Sequence, residues 1–423
     1  MMINIENYKI EDSWVYIPFD NIILENINTI DEERILKYIE NRKEDEQVKY
    51  PLNTSIILTN DCNLQCKYCY SKQQRNIDSL SFEMIKSLLD NIILNNITYA
   101  LKSGKRRTPS VTFIGGGEPT MRWTLLEDSV NYINYLSRKN DIDIKITLCS
   151  NGQWFNEKRT EWLINNIDMI ALSIDGDKNI QEYHRPGKSY GNSFDNIIKI
   201  IEYCIKKDFC IEVRPTISEF SIRHFDQIIR YFYDIGIKSI HVEPLNTNNK
   251  NLLKQPDPDM FVEKYLQNKT KYKNINIYTS LDVLNECRIN KYCGFQKRNN
   301  IVLTPDGFLT SCIEISSKKA LDFNYFYSGE IINNKITYKE NKIFKTQNIR
   351  NKCESCIARY NCAGGCTKKS GLYKNEDNYD YFCYITKSIL NNRLTYAINN
   401  FNYKIINNVK TINLNDWGDS YEF

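Results

Sequence analysis

The stretch Asp61-Cys62-Asn63-Leu64-Gln65-Cys66-Lys67-Tyr68-Cys69-Tyr70 decides how this chain is read. It sets Cys62, Cys66 and Cys69 at C-x3-C-x2-C spacing in a short loop, and an apolar run over 55–58 leads straight into it. Three thiolates this close can wrap one face of a metal centre. A four-iron cluster takes four cysteines, so the triad alone leaves one iron open. An open coordination position separates a catalytic metal site from a structural one. The plain alternative is a zinc knuckle completed by a distant fourth ligand.

Outward from the loop, a βα rhythm begins at about residue 54. Apolar runs suited to strands fall at 56–58, 111–114, 142–148, 169–174, 211–217 and 239–242. Amphipathic stretches separate them, such as 81–94 with Ile85, Leu88, Leu89, Ile92 and Ile93 on one face, and 194–205 with Ile197, Ile198, Ile201 and Ile205. Six such units predict an α/β fold with a parallel sheet, curved or closed. Side chains alternate faces along a strand. Ile142, Ile144, Ile146 and Leu148 oppose Asp143, Lys145, Thr147 and Cys149; Ile211 and Val213 oppose Glu212 and Arg214; Leu172 and Ile174 oppose Ala171, Ser173 and Asp175. The apolar face packs on helices, so the polar face is expected to line a lumen, with exposure at a sheet edge as the alternative.

Residues 1–50 predict a strand at 14–17 and then a helix opened by a Thr29/Glu32 capping box, with Ile35, Leu36 and Ile39 as its stripe and the charged run 42–46 as its end. Residues 246–280 break the rhythm and read as a connector with one helix. From Cys287 to Cys383 the chain is cysteine-rich and poor in long apolar runs, which predicts reliance on metal. The tail from 384 starts with a helical pattern, Ile385, Ile389, Leu390 and Leu394, and ends polar.

Composition narrows the class. At 423 residues with 41% apolar content the chain can bury a real core. A net charge of +4 from 56 basic and 52 acidic residues gives no strong field for nucleic acid. No run reaches membrane-spanning length and Met1-Met2-Ile3-Asn4-Ile5-Glu6 lacks a signal pattern, so a cytoplasmic location is the default expectation. In that compartment, 14 cysteines point to metal or catalysis rather than to disulfides.

Polar motifs fall at the ends of the predicted strands, where α/β folds place ligands. Gly115-Gly116-Gly117-Glu118-Pro119 follows the second strand; its glycines allow close backbone approach and Glu118 can accept from an ammonium group, unless the segment is an ordinary turn. Ser150-Asn151-Gly152 ends the third strand. Ser173-Ile174-Asp175-Gly176 ends the fourth, with Arg185 nearby, able to clamp a carboxylate or simply solvated. A second cysteine group runs Cys293-x13-Gly307-x4-Cys312, then Cys353-x2-Cys356-x5-Cys362-x3-Cys366, then Cys383. Its alternative is a zinc ribbon on Cys353 to Cys366.

Together these residues resemble the radical S-adenosylmethionine (SAM) superfamily, over residues 54 to about 245, through Cys62/Cys66/Cys69, Tyr68, Gly116-Gly117-Glu118-Pro119, and Ser173-Ile174-Asp175-Gly176 with Arg185. The later cysteines resemble the SPASM extension of such enzymes at all seven positions, and Cys287 adds an eighth thiolate. The resemblance implies a partial (β/α)6 TIM-type barrel over 54–245 followed by a cysteine-rich SPASM domain over 285–385, with an N-terminal extension (1–53), a connector (246–284) and a C-terminal helix and tail (386–423). It implies three [4Fe–4S] clusters: a SAM-binding one, and two auxiliary ones fully ligated by Cys287, Cys293, Cys312 and Cys366 and by Cys353, Cys356, Cys362 and Cys383. The open iron would chelate S-adenosylmethionine, and one electron would cleave its sulfonium to a 5′-deoxyadenosyl radical that abstracts an unactivated hydrogen. By position, Gly117 and Glu118 would hold the amine, Ser150 and Arg185 the ribose or carboxylate, and Tyr68 would lie near the adenine, with Gly116, Asn151, Ser173 and Asp175 in the same site.

The implied activity is modification of a peptide or protein side chain, by thioether or carbon–carbon crosslinking or by epimerisation, fed by a one-electron donor such as flavodoxin or ferredoxin. The competitor is anaerobic sulfatase maturation, in which a typical Asp base follows the cysteine equivalent to Cys312; here Ile313 and then Glu314 follow. A non-catalytic electron carrier needs no open iron. The remaining catalytic candidates are Cys149 and Cys210, as hydrogen donors or core filler, and His241 with Glu243, as an acid–base pair or a satisfied polar pair. Cys204 reads as helix packing, and His184, His224 and His241 are too scattered for a metal trio.

Overall fold

A computed structural model of the chain describes residues 9–11, 14–18, 21–25, 51–74, 79–188, 193–246, 253–284, 288, 291–340, 350–371, 379–406 and 409–414. They divide into two compact units, one from Met1–Gln47, Asp257–Cys293 and Thr346–Phe423, the other from Val48–Pro256 and Gly294–Lys345. The first unit opens with β1 (Lys9–Glu11), β2 (Trp14–Ile17) and β3 (Ile22–Glu25), each antiparallel to the next. The strand expected at 14–17 is β2. The helix expected after Thr29 lies outside the described residues.

The second unit carries the βα rhythm. Its strands are β4 (Asn53–Ile56), β5 (Ser110–Phe113), β6 (Lys145–Ser150), β7 (Met169–Leu172), β8 (Ile211–Val213), β9 (Thr216–Ile217), β10 (Ser239–His241) and β11 (Glu243–Pro244). The helices between them are α1 (Phe82–Ser103), α2 (Trp123–Asn140), α3 (Glu157–Asn166), α4 (Lys178–His184), α5 (Asp195–Lys206) and α6 (Phe225–Asp234). Strands β10, β8, β7, β6, β5 and β4 are neighbours in that order, all parallel. This is the expected large parallel sheet.

The departures have local causes. Helix α1 is capped by the Ser81 hydroxyl, which accepts from Met84 N at 3.3 Å, and runs on to Ser103 because the stop signal, Gly104 in the left-handed region, comes only there. Strand β6 starts at Lys145 rather than 142, because Asp141 is left-handed and Ile142 N still donates to Ser137 of α2. The run 211–217 breaks in two at Pro215, which has no N–H to give a ladder. Beyond the break, β9 pairs in parallel with β11, with Thr216 opposite Glu243.

A seventh parallel strand was not expected. β13 (Asn300–Leu303) lies beside β4 in unbroken register, Asn300 opposite Asn53 through Leu303 opposite Ile56. It continues antiparallel into β14 (Phe308–Thr310), β15 (Tyr327–Ile332) and β16 (Lys335–Tyr338). The stretch expected as SPASM, 285–385, is therefore divided, its 294–345 portion falling in the barrel unit. Val302 and Leu303 are fully buried there, so this portion builds apolar core after all.

In the first unit, α7 (Pro258–Lys271) is the helix expected in the connector, followed by β12 (Asn276–Tyr278). α8 (Asp380–Asn400) buries Ile385, Ile389, Leu390 and Leu394, as their spacing predicts. The tail does not simply end polar. β17 (Lys404–Ile406) and β18 (Val409–Asn413) form a hairpin, and β18 pairs antiparallel with β3, giving the sheet order β1-β2-β3-β18-β17. Tyr16, Ile23, Leu284, Ala358, Cys362, Leu390, Leu394, Ile412 and Leu414 share one buried cluster. Among the described residues, no helix is long and apolar enough to cross a membrane.

Candidate functional site

The cysteine loop leaves the C-terminal end of β4 and is pinned on two sides. On one, Gly117 N donates to Thr59 O at 2.9 Å and Glu118 N to Asp61 O at 2.8 Å. A Cβ on Gly117 would stand 1.9 Å from the Asp61 carbonyl oxygen, so only glycine fits this crossing. Gly116 adopts φ 94°, where any side chain is strained. On the other side, Gln65 N donates to Pro186 O (2.8 Å), Lys67 N to His184 O (2.9 Å) and Lys188 N to Asn63 O (3.2 Å), a short ladder behind the thiols.

Ser150 and Asn151, at the end of β6, reach the same place. Asn151 Nδ2 donates to Asn63 Oδ1 at 2.8 Å and lies 3.6 Å from Cys62 Sγ. Cys69 Sγ is 3.2 Å from Ser71 Oγ, and that hydroxyl donates to the Gly116 carbonyl. The structure thus brings Cys62, Cys69, Gly116, Gly117, Glu118, Ser150 and Asn151 together at the strand mouth. Burial pushes the Cys66 thiol up to about 12, against the pull of the Arg185 guanidinium. Among the described residues, no three His, Cys, Asp or Glu side chains close on a single metal ion.

Glu118 is more engaged than its motif suggests. Its Oε1 accepts from Thr120 N (3.2 Å), Thr120 Oγ1 (2.7 Å) and Ser150 Oγ (2.8 Å), and its Oε2 accepts from Asn151 N (2.8 Å). Burial raises its pKa despite these donors. Ser150 Oγ also accepts from Gly152 N and Trp154 Nε1. The carboxylate therefore ties the GGGEP turn to the end of β6.

Arg185 and Tyr68, expected at the cofactor, meet at one buried carboxylate. Arg185 Nε and Nη2 both bind the buried Asp175 carboxylate, at 3.0 and 3.1 Å, and the Tyr68 hydroxyl donates to the same carboxylate. Burial opposes the Asp175 charge, but Arg185 and His184 hold its carboxyl well below the usual range. Ser173 N donates to Ser150 O at 2.8 Å, joining the two strand ends.

The lumen face is polar, as side-chain parity predicts. Arg214 Nε donates to the buried Glu212 at 2.6 Å, and Arg214 Nη1 reaches Cys149 Sγ at 3.4 Å. Burial raises the Cys149 thiol. His241 Nε2 lies 2.9 Å from Glu243 Oε1 at the mouth of β10 and β11. Cys210 is different: it is exposed and precedes β8, at the end of the strand away from the cysteine loop. Four residues of strand, about 13 Å, separate it from Arg214 at the other end. Glu314 accepts Gln74 Nε2 on its carbonyl at 2.7 Å.

In the other unit, burial pushes the Cys362 thiol up to about 12, and Cys356 N donates to Cys353 O at 3.3 Å. Cys293 and Cys366 belong to this unit and Cys312 to the barrel unit, and Cys287 lies outside the described residues. Cys204 is buried on α5 as expected. Sequence reasoning passed over Gln74 and Asn63, and weighed His184 only as a member of a metal trio. Only His184 carried a signal, its place at the end of α4 next to Arg185.

A parallel barrel sheet whose mouth holds three cysteines beneath a glycine turn defines a class. Residues 56–232 match the family model described as the radical SAM superfamily, so the chain carries a radical SAM domain. That family implies a [4Fe–4S] cluster and S-adenosylmethionine. A cysteine-type anaerobic sulfatase-maturating enzyme of Clostridium novyi is 23% identical over 376 residues, which cover 82% of this chain and 96% of the relative. Native anSMEcpe with bound AdoMet and Cp18Cys peptide matches with a TM-score of 0.64 at 19% identity, over 83% of this chain and all of that one (100%). Streptococcus suis SuiB bound to precursor peptide SuiA matches with a TM-score of 0.55 at 16% identity, over 85% of this chain and 82% of that one. At these identities the structural likeness is one of fold.

Proposed function

We propose that this enzyme reductively cleaves S-adenosylmethionine at a cluster held by Cys62, Cys66 and Cys69 and modifies a side chain of a peptide or protein by hydrogen abstraction. The observation that carries the reading is the seating of the triad: three thiols at the mouth of a polar-lined parallel barrel, backed by a backbone ladder and crossed by the Gly116-Gly117 turn. The donor set fits the cluster, because the loop offers three thiols, one fewer than a four-iron cluster takes. When bound, the cluster supplies the electron that breaks the sulfonium C–S bond. Gly116, Gly117 and Asn151 flank the open side and are assigned to the methionine end of the cofactor. Glu118 contributes mainly by holding that rim in place.

The lumen below it carries Cys149, Glu212, Arg214, His241 and Glu243, and we assign the substrate side chain to this face. A peptide or protein substrate is supported by the peptide-bound anSMEcpe and SuiB structures, whose fold this chain shares. Cys353, Cys356, Cys362 and Cys383 lie in one unit, which supports one auxiliary cluster; the second set, Cys287, Cys293, Cys312 and Cys366, is proposed on motif alone. A flavodoxin or ferredoxin is the proposed electron donor. Formylglycine formation is the second reading, favoured by the near-complete span of the Clostridium novyi relative. Glu314 would then stand where the typical Asp base is displaced by Ile313.

The test is anaerobic reconstitution, iron counting and assay with dithionite, S-adenosylmethionine and two peptides, one encoded beside the gene and one bearing a sulfatase cysteine motif. Formation of 5′-deoxyadenosine is expected. Loss of two hydrogens would mark a crosslink, deuterium uptake without mass loss an epimerisation, and an aldehyde the sulfatase reading. Zinc in place of iron, or no 5′-deoxyadenosine, overturns the proposal.

A further inference from the structure

The Asp175 carboxylate is heavily bonded, and its contacts run in three directions. Its Oδ2 accepts from the Tyr68 hydroxyl and from Arg185 Nε at 3.0 Å, and lies 3.0 Å from His184 Nδ1; its Oδ1 accepts from Arg185 Nη2 at 3.1 Å and from Thr216 N at 2.9 Å. The side chains of Asp175 and His184 are wholly inaccessible to solvent. An ionised carboxylate only accepts, so His184 Nδ1 carries the proton, and its Nε2 faces the Ser218 hydroxyl at 2.9 Å. The ring of Tyr68 stands edge-on to His184 with centroids 5.7 Å apart, and the Arg185 guanidinium lies over it at 5.2 Å. Asp175 itself is held from behind, its N–H donating to Gln181 Oε1 at 2.9 Å.

Tyr68 stands between Cys66 and Cys69, so its side chain is the anchor of the middle of the cysteine loop. Thr216 opens β9, opposite Glu243 of β11, which pairs with His241. One buried carboxylate therefore joins the loop that carries the thiols to the strand pair that lines the lumen. We infer that Asp175, with His184 as its second support, is a positioning hub that fixes the cysteine loop relative to β9 and β11, and that Arg185 serves this hub. The inference rests on the reading of Cys62, Cys66 and Cys69 as the cluster site. Burying one carboxylate among a guanidinium, an imidazole and a phenol gives a single well-defined arrangement, since any other leaves a charge unpaired. The loop is then preorganised before iron binds, and a shift of the loop is felt at the lumen.

The experiment compares wild type with Tyr68→Phe, His184→Gln and Asp175→Asn by amide hydrogen exchange of the apo protein, read at residues 64–69, at 216–218 and in α1 as a control. Tyr68→Phe removes one hydrogen bond to a charged group and should raise exchange at 64–69 about tenfold, with a small fall in the thermal midpoint and no change at those α1 amides that open without unfolding the barrel. Asp175→Asn should raise exchange at 216–218 as well; if that variant fails to fold, Tyr68→Phe carries the test. After reconstitution, Tyr68→Phe should bind wild-type iron but show altered g-values of the reduced cluster and a raised KM for S-adenosylmethionine with little change in kcat. Wild-type exchange at 64–69 in Tyr68→Phe, or an equal rise in α1, overturns the hub. Failure of the wild-type triad to take up iron would instead overturn the cluster reading, and the apo exchange would still decide the hub.

Discussion

At the residue scale, Arg185 is legible in the sequence by its place after a strand end, while its contact with Asp175 follows only from packing. The Ser173-to-Arg185 segment was legible because its residue types fall at a predicted strand end. Which of two buried charges faces the other depends on chain positions ten residues apart, and spacing does not encode that. Asp175 also sets a pH signature. Its folded pKa lies below the ordinary carboxylate value of about 3.9, so its stabilisation is complete above that value and is lost as pH falls through it towards the folded value. Asp175→Asn should cost about 3–5 kcal/mol near neutrality, because Arg185 is left buried with no counter-charge, and should flatten the fall in stability below about pH 4. Urea midpoints taken from pH 7 to pH 3 check both, and a variant as acid-sensitive as wild type would contradict the assignment.

At the scale of elements, the parallel strands were legible wherever apolar residues alternate, and their buried faces fall where parity puts them. The ends were less legible. Pro215 marks the break between β8 and β9 plainly in hindsight, yet the apolar pattern runs through it. β13 was missed because Ile301, Val302 and Leu303 are too short a run to stand out in a cysteine-rich stretch; only their parallel register with β4 makes them a strand. The start of α1 was readable from Ser81. Ser81→Ala should lower stability by about 1 kcal/mol through loss of the cap to Met84, measured as a shift in denaturation midpoint without change in slope.

At the scale of the molecule, the division into two units was not legible, because one of them is assembled from three separated segments. Inside it, Asp282 accepts from Tyr265 at 2.7 Å and from Arg393 of α8, with Lys269 of α7 at 3.9 Å. Two partners come from α7 and one from α8, so this buried carboxylate joins two of the unit's three segments. Arg393→Ala should cost about 3 kcal/mol or more by stranding that charge, whereas replacing Asp282 and Arg393 together by apolar residues should cost less than the single change. Chemical denaturation of the three variants checks this, and a harmless Arg393→Ala would show that Lys269 and Tyr265 suffice.

The pairing of β18 with β3 bears on how the protein is made. Almost the whole chain separates Ile23 from its partner Ile412. A ribosome-bound chain that has already exposed the barrel and its Cys62 loop still lacks the strand that seals the Tyr16 and Cys362 cluster. The cluster site proposed in the barrel can therefore be complete before the strand that closes the other unit has been made.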